Sequence, residues 1–116
     1  MKPSLSLRCK AEEIAQAVCE VFDIDSVQLV SAPKSKTINI ARGLYCAIAT
    51  LAGIHPTEAA ATIKRSRANV IIVAKHYCGY LEVGDNLTTG LYNKIVNNLQ
   101  SKQDKDEQLG NKQFTD

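Results

Sequence analysis

No stretch of this 116-residue chain approaches the roughly 18 consecutive apolar residues that a membrane-spanning helix needs. The opening, MKPSLSLRCKAEE, lacks the long apolar core of a secretory signal, so the expected location is cytoplasmic. There is no C-x-x-C pair. Cys9, Cys19, Cys46 and Cys78 stand singly, which withholds the usual zinc spacing and leads us to expect reduced thiols in that compartment. His55 and His76 have no partner at ligand spacing, so neither metal nor cofactor is expected. A glycine-rich phosphate loop, a Ser/His/Asp arrangement and a paired-carboxylate site are all missing, and the chain does not read as an enzyme. Strand-like alternation and internal repeats are missing too.

What is present is helical. An apolar fraction of 45% and a charged fraction of 22% suit a single globular domain. Ala11, Ile14, Ala15, Val18, Val21 and Phe22 form one stripe at helical spacing, ended by Asp23. Asp25 or Ser26 can cap a short turn through Val27, Leu29 and Val30. After a Pro-containing loop at 31–37, Ile38, Ala41, Leu44, Tyr45, Ile48, Leu51 and Ala52 predict a central helix, with Thr37 or Asn39 as N-cap and Gly53 just past its end. Residues 58–63 predict a short Ala-rich helix capped by Thr57. Val70, Val73, Ala74, Tyr77 and Leu81 predict a longer one capped by Ser66 and stopped at Gly84. Asp85 or Thr88 opens a last helix along Leu87, Leu91, Ile95 and Leu99. The expected class is therefore all-α, five to six helices over residues 1–100, followed by a polar, aperiodic and disordered tail at 101–116.

The net charge of +2 conceals an asymmetry. Between residues 34 and 75, seven cations (Lys34, Lys36, Arg42, Lys64, Arg65, Arg67 and Lys75) face one anion, Glu58, so seven minus one leaves +6. The remainder carries seven positive and eleven negative charges, or −4. A field concentrated this way is a footprint for phosphate, while solvated helix faces are the plainer account of it. Its densest part is TEAAATIKRSRANVIIVAKHYCGYL, residues 57–81. This reads as a short helix, a basic turn and a longer helix with an apolar inner face, which is what a helix-turn-helix needs to meet DNA.

Several segments carry a resemblance in order and spacing: VCEVFDIDSVQLVS, KSKTINIAR, GLYCAIATLAG and HPTEAAATIKRSRANVIIVAKHY. From Val18 to about Leu81 the chain resembles the C-terminal DNA-binding domain of the bacterial replication initiator DnaA, and the architecture is similar to that of the Trp repressor. The resemblance implies a helix-turn-helix at about 57–82, a basic loop at Lys34 and Lys36, and an arginine at Arg42 at the start of the central helix. It also implies departures. There is no Walker A loop and no room for an ATPase module, so the likeness is to a DNA-binding module standing alone. The Asp-His-Thr that reads bases in that family stands here as Arg67, Ala68 and Asn69.

The expected partner is double-stranded DNA, contacted by Lys34, Lys36, Arg42, Lys64, Arg65, Ser66, Arg67, Asn69 and Lys75. Arg65 and Arg67 flank the start of the recognition helix, where an arginine can hold a phosphate or read guanine bidentately, and Asn69 can read adenine. Lys75 lies two turns further on and reaches at most a phosphate. A homodimer would double weak contacts and read a palindrome. Neither a membrane nor a small-molecule substrate is expected. The alternative is a protein-interaction module that keeps this fold without specific DNA reading. A ligand-gated repressor is a third reading, for which the sequence offers no polar pocket.

Overall fold

The computed structural model describes residues 9–31 and 35–115, with side chains through Ser101. Among these residues the chain is all-α. Its six helices are α1 (Ala11–Phe22), α2 (Ser26–Val30), α3 (Lys36–Leu51), α4 (Pro56–Thr62), α5 (Arg67–Glu82) and α6 (Asn86–Thr115). No helix among the described residues is long and apolar enough to cross a membrane.

The periodicity of α3 explains its place at the centre. Ala41, Leu44, Tyr45 and Ile48 are completely buried, and α1 and α5 pack on either side. Ile14 and Val18 of α1 and Ile95 and Leu99 of α6 close the same core. Small residues set the spacing. Gly43 of α3 lies under the Tyr77 ring of α5, and a Cβ at 43 would overlap that ring. The Tyr45 hydroxyl, wholly buried, donates to the Ala59 carbonyl at 2.7 Å and ties α3 to α4.

Four helices end the same way. After α1, α3, α4 and α5 the next residues turn left-handed, at Asp23 (φ 55°), Gly53 (φ 83°), Lys64 (φ 54°) and Gly84 (φ 74°). At each, the following amide reaches back to a carbonyl of the last turn: Ile24 to Cys19, Ile54 to Ala49, Arg65 to Ala60 and Asp85 to Tyr80. This is the Schellman closure, which satisfies carbonyls that a helix end leaves orphaned. Gly53 and Gly84 were legible as stops. Asp23 and Lys64 do the same work without glycine.

Several boundaries differ from the sequence reading. α3 begins at Lys36 with Ser35 as its N-cap, earlier than Thr37 or Asn39, because the Ser35 hydroxyl accepts from the Ile38 amide at 3.3 Å. α4 is capped by His55, not Thr57. Pro56 takes the first helical position, where its missing N–H costs nothing, and His55 Nδ1 accepts from the Thr57 amide at 3.1 Å. Of the Leu87, Leu91, Ile95 and Leu99 ridge of α6, Ile95 and Leu99 are buried while Leu87 is 62% exposed. Thr88 is buried in its stead, with both its amide and its hydroxyl held by Asp85. The backbone of α6 continues to Thr115 where the sequence predicts an irregular tail from 101. No proline interrupts that stretch, and its Lys, Gln and Glu residues are good helix formers.

Candidate nucleic-acid interface

The α4–turn–α5 segment is built from its caps outward. Lys64 in the left-handed region reverses the chain after α4, and Ser66 restarts it by accepting from the Asn69 amide at 3.1 Å. A serine cap of this kind is worth about 1 kcal/mol. Val70 and Ala74 then seat α5 against the core. With that side turned inward, Arg67, Ala68 and Asn69 in the first turn are exposed. Lys64, Lys36 and Lys75 are exposed as well. The free N–H groups of the first turn of α5 and the positive end of its dipole lie beside Arg67.

Arg42 and Arg65 are held differently. The Arg42 Nε donates to the Leu29 carbonyl at 3.1 Å, and its Nη2 donates to the Ser31 carbonyl. The Arg65 Nη2 donates to that same Ser31 carbonyl at 3.2 Å. Two guanidinium groups thus converge on the C-terminal end of α2, where unpaired carbonyls and the negative end of the helix dipole receive them. Partial burial, and then the like charge of Arg65, pull the Arg42 pKa below its ordinary value. Each arginine has five donors, so N–H groups remain for a further acceptor. The structure therefore brings Arg42 and Arg65 together as a brace between α2, α3 and the basic turn. It places Arg67 and Asn69 apart from that brace, on α5. Lys34 lies outside the described residues.

Sequence spacing had no means of showing the Ser31 carbonyl as the meeting point, because residues 31, 42 and 65 belong to three different segments. The exposed apolar wall of α5 was missed as well. Ile71 and Ile72 lie outside the stripe of Val70, Val73, Ala74, Tyr77 and Leu81 read from the sequence, and they are 46% and 57% exposed. Cys78 is half-buried and lines an open groove of about 560 Å³ with Thr50, Leu51, Ile71, Lys75 and Glu82.

Cys46 is buried, and burial pushes its thiol pKa up to about 12 against the opposing pull of Arg42 and Arg65. Burial also raises Cys9 and Cys19, each helped by nearby carboxylates. Thiols held protonated are poor nucleophiles and poor metal ligands. Among the described residues, no three of His, Cys, Asp and Glu gather where they would hold a metal ion.

A scan against protein-family models finds no match to this chain, and a search of curated proteins finds none either.

Proposed function

We propose that this chain binds double-stranded DNA through the α4–turn–α5 segment, with the first turn of α5 entering the major groove. The observation that carries this reading is the exposed Arg67–Ala68–Asn69 turn, capped by Ser66 and set in the part of the chain that holds a local charge of +6. Arg67 offers a planar fork for guanine or phosphate, and Asn69 a donor and acceptor for adenine. Lys36 and Lys64 add exposed point charges. Arg42 and Arg65 hold α2 against the turn and keep donors free for a phosphate. In this reading the fold is a helix-turn-helix like that of the replication initiator's DNA-binding domain, cytoplasmic and without ATPase activity, and its sequence preference comes from a different set of side chains.

Titration of fluorescent duplex DNA against Arg67→Ala, Arg65→Ala and Arg65→Lys tests this. Arg67→Ala should weaken binding roughly 5- to 100-fold, the range of a lost bidentate base contact. Arg65→Lys should retain more binding than Arg65→Ala, because it keeps the charge while losing the two-pronged hold on the turn. Neutralising about four to six phosphates gives a slope of log K against log salt of roughly −4 to −5. Unchanged binding in Arg67→Ala would sink the motif assignment.

One observation favours a second reading, a protein-interaction module. Ile71, Ile72, Tyr80 and Val83 expose a large apolar area on and just beyond α5. A DNA titration that is weak and insensitive to salt would select it.

A further inference from the structure

Five of the six large hydrophobic residues exposed among the described residues lie between 71 and 87: Ile71, Ile72, Tyr80, Val83 and Leu87. Of these, Ile71 lines a groove, Ile72 follows on the adjoining side of α5, and Tyr80 lies on the far side; exposed apolar side chains beside a groove mark a surface that something covers. The groove beside it runs between the C-terminal end of α3 and one flank of α5. Along that flank Ile71, Lys75, Cys78 and Glu82 follow one another at intervals of four, three and four residues, the spacing of a helix–helix seam. Ile71, Cys78 and the exposed carboxylate of Glu82 set this wall apart from the basic turn, and its single cation, Lys75, stands between Ile71 and Glu82.

We infer that this face docks a second copy of the chain, with the two α5 helices antiparallel and crossing at Cys78 and Gly79. Charge complementarity selects that occupant. Lys75 and Glu82 lie seven residues apart on one flank, about 10 Å along the axis, too far to pair within a chain. A two-fold axis at Cys78–Gly79 sets each Lys75 against Glu82 of the other copy, so two ion pairs flank the crossing. Gly79 lets the helices approach closely, since the space a Cβ would occupy there is empty. The same operator carries Ile71 of each chain toward the Val83–Leu87 corner of the other. An isologous contact of this kind closes on itself and stops at two copies.

The register has a second consequence, which rests on the proposed DNA reading. From the crossing point to Arg67 is about eleven and a half residues, so the two Arg67 side chains stand about 34 Å apart along the shared axis. That is the separation of successive major grooves on one face of DNA, and of the half-sites that dimeric helix-turn-helix proteins read.

Light scattering of the full chain without DNA tests the dimer separately from DNA binding. The wild type should rise with concentration toward twice the 12.7 kDa chain mass. Lys75→Glu and Glu82→Lys should each stay at the chain mass, because each sets like charges face to face. The double variant Lys75→Glu/Glu82→Lys should restore the dimer. Thermal melting of the single variants near the wild-type temperature shows that they fold. A short bis-maleimide should join two wild-type chains and fail with Cys78→Ser. A chain that stays at its monomer mass at every concentration overturns the inference and leaves the groove to another protein. A dimer indifferent to both charge reversals, or one that the double variant does not recover, places the interface elsewhere and overturns it as well.

Discussion

At the scale of single residues, two positions show how little room the sequence has for substitution near the proposed interface. Gly43 is defined by what covers it. The Tyr77 ring occupies the space of a β-carbon, so Gly43→Ala must push the ring aside and carry α5 with it. Overpacking of this kind costs about 1–3 kcal/mol. Chemical denaturation should show that loss, and DNA affinity should fall with it, since α5 presents Arg67 and Asn69. Lys64 makes the opposite case. Its φ of 54° is strained for a residue with a side chain. Lys64→Gly should therefore raise stability by about 0.5–1 kcal/mol while removing an exposed cation. Stability up and DNA affinity down in one variant would separate what the turn needs from what the ligand needs. If both fall together, Lys64 is held by contacts beyond its backbone.

At the scale of elements, the helices are joined by repeated stop-and-restart devices more than by loops. A left-handed residue closes α1, α3, α4 and α5, and a side-chain acceptor opens each of α2 to α6: Asp25, Ser35, His55, Ser66 and Asp85. The Asp85 cap gives this scale its pH prediction. Hydrogen bonds from the Thr88 hydroxyl, then the Thr88 amide, lower the Asp85 pKa below its ordinary 3.8. A carboxyl depressed on folding adds stability that is present above the unfolded pKa and lost as pH falls through the folded one. The melting temperature should accordingly carry an acid-side component below about pH 4 that Asp85→Asn removes, since asparagine still caps but does not titrate. An identical acid limb in wild type and Asp85→Asn would assign the loss to other carboxylates. These devices are also why most elements were legible. Asp25, Ser66, Gly53 and Gly84 act where the sequence places them. The α3 and α4 starts shifted because Ser35 and His55 were competing acceptors two residues upstream of Thr37 and Thr57, a choice that local preference alone does not rank.

At the scale of the whole molecule, three segments far apart in the chain are brought together. The end of α2, the start of α3 and the turn before α5 meet at the Ser31 carbonyl, where Arg42 and Arg65 converge. The cation count between residues 34 and 75 was readable from composition, as was the all-α class from the 3.6-residue periodicity. Periodicity is a one-dimensional signal that reports which residues want burial, and the buried stripes of α1 and α3 obeyed it. It does not report how much partner surface there is to meet them. α5 carries apolar residues nearly all round, and α3, α4 and α6 cover only part of it, so Ile71 and Ile72 were left outside. Tertiary packing alone decided that exposure. It also decided that two of the seven clustered cations brace the fold while Arg67 faces outward, because charge is additive along a sequence and direction is not.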